Sequence, residues 1–223
     1  MDNEQDSDLA LPPGLELRND PEGLTLVGDG MELRGDFTSL LPRLRQDRLS
    51  HELLVKAARV RGADAPTLID ATAGLGEDSI LLAAAGFSVS LYEKDPVIAA
   101  LLRDALQRAA NNPQLAGIAA RMELYQEDSI QALRSLPAPP DVVLLDPMFP
   151  ARTKSALTKK KFQLLHHLES PATDEEELLS AALAANPRKV VIKRPPKGPF
   201  LAGVKPSRSV AGKAVRYDII QIR

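Results

Sequence analysis

Residues 67–78 read Thr67-Leu68-Ile69-Asp70-Ala71-Thr72-Ala73-Gly74-Leu75-Gly76-Glu77-Asp78, and this stretch decides the fold. A short apolar run ends in an acid, passes through small residues and two glycines, and opens into a helical pattern. Strand, tight turn and helix follow from that order. Glycines at 74 and 76 let the backbone turn sharply and let a ligand approach where a Cβ would collide. Working outward, candidate strands are Thr67–Asp70, Ser88–Glu93, Met122–Gln126, Val142–Leu145, Lys189–Lys193 and Tyr217–Ile222. Candidate helices at Asp78–Ala85, Pro96–Ala110, Ser129–Leu136 and Asp174–Ala185 lie between them. This βαβα rhythm predicts an α/β fold, a mostly parallel sheet with helices on both faces. Such sheets hold ligands at the carboxyl ends of their strands, beside the point where strand order reverses.

Two regions precede this domain, which is expected to span residues 67–223. Residues 1–36 begin with an acidic tip at Met1–Asp8, then alternate in short runs at Leu15–Leu17, Leu24–Val27 and Met31–Leu33. Turn formers separate the runs, so a small β-meander is expected. Residues 37–66 read as a basic linker and helix, with Leu53, Leu54, Ala57 and Ala58 at helical spacing. The 223 residues include no cysteine, which excludes disulfides, thiolate zinc sites, iron–sulfur clusters and a cysteine nucleophile. No metal site is expected, because His51, His166 and His167 lack ligand spacing with neighbouring carboxylates. The acidic start carries no secretory signal pattern and no apolar run is long enough to span a bilayer, so a cytoplasmic protein without a membrane partner is expected.

The glycine turn selects a cofactor. Glu93 ends the second strand 23 residues after Asp70, where a carboxylate can accept hydrogen bonds from both hydroxyls of an adenosine ribose. A dinucleotide fold calls for a third glycine where Ser79 stands, and the acids Asp70, Glu77 and Asp78 are a poor setting for a pyrophosphate. A cationic sulfonium bearing an α-amino group is attracted by those same acids, which favours S-adenosylmethionine. After the third strand, Asp128 can bond an adenine amino group, and Ser129 opens the next helix. Asp128 is equally an N-cap. Lys94, beside Glu93, can line the adenine pocket with its backbone.

The fourth strand delivers Asp146-Pro147-Met148-Phe149-Pro150, a stiff loop at the same sheet edge. Asp146 and the Pro147 carbonyl can accept hydrogen bonds from an amino group, and Phe149 can stack on the ring that carries it. Together they describe a planar, amino-bearing substrate such as a nucleobase. No G-x-S-x-G elbow or P-loop competes with this reading.

The net charge of −2 is a cancellation. Residues 1–33 carry nine acids and one base; residues 151–161 carry five bases and no acid; residues 188–216 carry nine bases and no acid. Arg152, Lys154, Lys159, Lys160, Lys161, Lys193 and Arg194 flank the reaction loop and are the expected contacts to an RNA phosphate backbone.

These residues resemble a known family. Asp70–Gly76, Glu93, Asp146–Pro150 followed by Lys154-Ser155-Ala156-Leu157, and Lys193-Arg194-Pro195 are together similar to ribosomal RNA small subunit methyltransferase J. The resemblance covers residues 30–222 and implies a class I S-adenosylmethionine-dependent methyltransferase, a Rossmann-like, mostly parallel seven-stranded sheet with a small N-terminal β-rich extension. It implies Glu77, Asp78, Glu93, Lys94, Asp128, Ser129 and Asp146 as cofactor contacts, and 16S rRNA or the small ribosomal subunit as partner. Methylation of a guanine N2 comes from the resemblance; the residues themselves give an amino methyltransferase. Adenine-N6 or protein-amide methylation, or a non-catalytic RNA-binding module with a vestigial Rossmann domain, stay open on the residues alone.

Overall fold

A computed structural model describes Leu9, residues 11–147 and residues 175–223. The acidic tip Met1–Asp8 and the expectations placed on residues 148–174 lie outside the described residues. Ten strands are described: β1 (Leu15–Asp20), β2 (Gly23–Gly28), β3 (Met31–Leu33), β4 (Thr67–Asp70), β5 (Ser88–Tyr92), β6 (Met122–Tyr125), β7 (Val142–Leu145), β8 (Lys189–Arg194), β9 (Arg208–Ala211) and β10 (Arg216–Gln221). The α-helices among the described residues are α1 (Leu41–Leu44), α2 (Gln46–Leu49), α3 (Leu53–Ala58), α4 (Glu77–Ala84), α5 (Pro96–Ala110), α6 (Ala116–Ala119), α7 (Ser129–Arg134) and α8 (Glu175–Ala184).

The main sheet has seven strands in the order β6-β5-β4-β7-β8-β10-β9. Its five strands from β6 to β8 are parallel, and β10 joins antiparallel to both β8 and β9. Strand order reverses between β4 and β7, so Asp70 and Asp146 emerge side by side at the carboxyl edge.

Strand alternation divides the core between the two faces. Leu68, Val142, Leu144, Val191 and Ile219 pack on one face with α4, and Ile69, Val143, Leu145, Val190 and Ile192 on the other with α7 and α8. All four residues of β7 are therefore buried, as a strand covered on both faces requires. The antiparallel sheet β1-β2-β3 packs Leu24, Leu26 and Leu33 against Val97, Ile98 and Leu101 of α5.

Residues 37–66 hold the expected helix, α3, but are more than a linker. Phe37, Leu40, Leu44, Leu49, Leu54 and Ala57 all enter the main core. The seventh strand, β9, has no counterpart among the six strands expected beyond Thr67.

Candidate active site

The cofactor side is built on backbone amides. Asp70 is 2% exposed; its carboxylate accepts hydrogen bonds from the Thr72 N–H at 3.1 Å and from the Ser79 hydroxyl at 2.6 Å. Burial pushes its pKa up to about 7, and the nearby charges of Asp78 and Asp146 act in the same direction. Ser79, the residue that breaks the dinucleotide glycine pattern, thus holds the turn from inside. Gly74 (φ 53°) and Gly76 (φ 74°) take left-handed backbone. A Cβ on Gly76 would come within 2.8 Å of Leu102 and 3.3 Å of Phe37, whereas on Gly74 it would meet nothing within 4 Å. Gly76 therefore fits the loop onto the core, and Gly74 faces open space.

Glu93 is 8% exposed and joins two segments. It accepts from the Gly74 N–H at 3.0 Å and from the Asp95 N–H at 2.9 Å. Burial raises its pKa against the pull of those two amides. Asp95 in turn caps α5, accepting from the Val97 and Ile98 N–H groups, both at 2.9 Å. Asp128 caps α7 through the Ile130 N–H at 2.8 Å. Lys94 is exposed, as is Asp128, and Ser129 is half-buried beside it. At the ends of β5 and β6, the rings of Tyr92 and Tyr125 stack with centroids 5.0 Å apart.

The reaction side is built on side-chain charge. The Asp146 N–H donates to the Thr72 hydroxyl at 2.7 Å, tying this loop to the glycine turn. The Lys193 ammonium lies 2.8 Å from the Asp146 carboxylate and 2.6 Å from that of Asp78, in the first turn of α4. Burial raises the pKa of Asp146, and the Lys193 charge opposes the rise. The two carboxylates hold the Lys193 ammonium well above its ordinary range although burial pulls the other way. Tyr217 is 5% exposed, and burial together with Asp78 keeps its hydroxyl protonated.

Two of the expected phosphate contacts stand at the end of β8, both paired with protein groups. Lys193 is engaged between Asp78 and Asp146. Arg194 is 1% exposed, donating to the Pro199 carbonyl at 2.9 Å and to Glu175 at 3.3 Å, so its guanidinium is structural. Neighbouring residues of a strand point to opposite faces, and both faces of β8 are covered. Phe149, Arg152, Lys154, Lys159, Lys160 and Lys161 lie outside the described residues. Thr72 and Ser79 escaped the sequence reading as site builders, although Ser79 was marked by its place in the glycine pattern.

A glycine turn open at Gly74, a buried acid just after β5, and an acid after β7 at the strand-order switch suit a nucleoside cofactor with a cationic centre. Fold and site together define a class I S-adenosylmethionine-dependent methyltransferase. The family model described as "Putative SAM-dependent methyltransferase" matches residues 15–222. A ribosomal RNA small subunit methyltransferase J from Thioalkalivibrio sulfidiphilus is 41% identical over 96% of this chain and 89% of its own length. One of the same name from Pseudomonas aeruginosa is 47% identical over 76% of this chain and 66% of that relative. The chain belongs to the ribosomal RNA small subunit methyltransferase J family. Among solved structures, a SAM-dependent methyltransferase from Neisseria gonorrhoeae superposes with a TM-score of 0.76 at 34% identity, covering 96% of this chain and 86% of that one. The rRNA methyltransferase aviRa from Streptomyces viridochromogenes shares the fold, with a TM-score of 0.51 at 19% identity over 80% of this chain and 85% of its own.

Proposed function

We propose that this chain methylates the exocyclic N2 amino group of one guanosine in small-subunit (16S) rRNA, in the cytoplasm, on the free RNA or the small ribosomal subunit. The observation that carries the reading is Asp146. Its backbone N–H is tied to the glycine turn through the Thr72 hydroxyl, and its carboxylate is held by Lys193. Relatives 41% and 47% identical to this chain are named for ribosomal RNA of the small subunit.

S-adenosylmethionine supplies an electrophilic sulfonium methyl group when bound. The proposed holders are Glu93 for the ribose hydroxyls and Asp128, Ser129 and the Lys94 backbone for the adenine. Gly74 and Gly76 shape the cradle; Glu77 and Asp78 provide its negative field, and Asp70 braces the turn beneath it. An exocyclic amine is a weak nucleophile because its lone pair is delocalised into the ring. Asp146 and the Pro147 carbonyl accept its N–H hydrogen bonds, which localises the lone pair and aims it. Phe149 stacks on the base. Lys193 fixes Asp146 and opposes the rise in its pKa, so that orientation and electrostatics supply the catalysis without a covalent bond to the protein. Arg152, Lys154, Lys159, Lys160 and Lys161 are the proposed phosphate contacts. We retain residues 1–36, 37–66 and 67–223 as the proposed divisions of the chain, the second anchored in the core of the third.

The test is to incubate the purified protein with methyl-labelled S-adenosylmethionine and either naked rRNA or small subunits from a strain lacking the enzyme, and map the label. A single guanine N2 in the small-subunit RNA is expected. Label on an adenine N6 or on protein, or none at all, would overturn the reading.

A further inference from the structure

Among the described residues, Phe200 and Val204 are the large hydrophobic side chains left exposed, each at 39%, and both follow β8 in one loop. Singly exposed hydrophobics are ordinary on protein surfaces. What sets this loop apart is how firmly it is held. Arg216, at the start of β10, makes two hydrogen bonds of 2.8 Å to Asp218 and donates to the carbonyls of Pro196 at 3.0 Å and Gly198 at 3.1 Å. Arg194 fixes the Pro199 carbonyl from the other side. The Arg216 guanidinium carbon also lies 5.2 Å from the centroid of the Phe200 ring, and Leu201, 1% exposed, anchors the next turn. The ring is therefore backed by a cation and still open to solvent. Lys197 and Lys205 are exposed on either side of it in sequence, and the acids that reach this loop, Asp218 and Glu175, are paired with Arg216 and Arg194. The loop starts two residues after Lys193, whose ammonium touches Asp146.

We propose that Phe200 is a preformed stacking platform for an unpaired base of the RNA substrate near the methylated nucleotide, with Lys197 and Lys205 meeting the adjoining phosphates. The inference rests on the reading of RNA as substrate. Any base presents a π face to such a ring, and a platform already immobilised loses little freedom on binding. Charge decides the class of occupant, since exposed lysines beside an open aromatic face fit a polyanion bearing flat rings.

The experiment measures binding of labelled small-subunit rRNA fragments, KM and kcat for methyl transfer to RNA, and S-adenosylmethionine binding by calorimetry. It compares the wild-type chain with Phe200→Ala and Phe200→Trp. Phe200→Ala is expected to weaken RNA binding about 5- to 100-fold, chiefly as a raised KM, while Phe200→Trp stays within about threefold of wild type. Cofactor binding should be equal in all three, which shows that the variants fold. Lys197→Gln with Lys205→Gln should flatten the salt dependence of RNA binding. A Phe200→Ala protein that binds and methylates RNA like the wild type would overturn the platform and leave the substrate reading standing. A wild-type protein that neither binds nor methylates RNA would overturn both.

Discussion

The two halves of the carboxyl edge hold their acids by different means. On the cofactor half, Asp70 and Glu93 are fixed by three backbone N–H groups and one buried hydroxyl. On the reaction half, Asp146 and Asp78 converge on a single ammonium, Lys193. A backbone donor survives every side-chain change short of proline, whereas an ammonium is lost with its side chain. The cofactor half is thus a rigid seat, and the reaction half depends on one replaceable charge.

The largest effect is expected at Asp146 itself. Asp146→Ala removes the acceptor for the reacting amine, and methyl transfer should fall by about 100- to 1,000-fold, as when an electrostatic group aimed at a transition state is deleted. Cofactor binding should be weakened but remain measurable by calorimetry. Wild-type turnover would remove Asp146 from the mechanism and leave the halves equivalent.

Lys193→Met comes next. It leaves Asp146 and Asp78 without the ammonium between them, so kcat should drop about 10- to 100-fold. The pH profile distinguishes positioning from simple damage. Losing the ammonium raises the pKa of Asp146 further, so the acidic limb of kcat against pH must move to higher pH, and the deficit must be worse at low pH than at high. Lys193→Arg should restore part of the rate and the position of that limb. An unmoved limb would show that Lys193 does not govern Asp146.

Glu93→Ala tests the rigid half. Cofactor affinity should fall about 5- to 100-fold for the loss of charge-assisted hydrogen bonds, with kcat at saturating cofactor much closer to wild type. The contrast with Lys193→Met, which moves kcat more than cofactor affinity, is the sharpest form of the comparison. An unchanged dissociation constant would contradict the ribose assignment.

The same contrast explains what could be read in the sequence. The strands Thr67–Asp70 and Val142–Leu145 and the helix Pro96–Ala110 end where the apolar pattern ends. The glycine turn and Glu93 were visible because their roles depend on backbone geometry and on spacing along one stretch. The partners of Lys193 are hidden from a sequence reading because they lie far away: Asp78 is 115 residues earlier. Local composition around Lys193 and Arg194 shows only charge, and charge without a partner in view suggests a polyanion. Strand β9 was missed for a related reason, being polar and largely exposed at the sheet edge, with no alternation to reveal it. Residues 37–66 show scattered apolar positions in very short helices, too brief for periodicity to mark their burial.

The smallest expected effect, in stability, asks whether the rigid half carries a buried charge at all. With a folded pKa of about 7 against an ordinary 3.8, Asp70 binds its proton more tightly in the folded chain than in the unfolded one. Its contribution to stability is full below the unfolded value and is lost as pH rises through the folded value. Asp70→Asn is neutral throughout, and its amide can still accept from Thr72 and engage Ser79. The melting temperature of the variant minus that of wild type should therefore climb between about pH 5 and 7 and level off above it. The size of the climb is about 2–4 °C for each kcal/mol of charge burial in a chain of this length. A flat difference across that range would mean that Asp70 stays ionised in the fold, its two donors outweighing its burial. The cofactor half would then rest on a fixed buried anion, and the Thr72 amide and Ser79 hydroxyl would be doing for Asp70 what Lys193 does for Asp146.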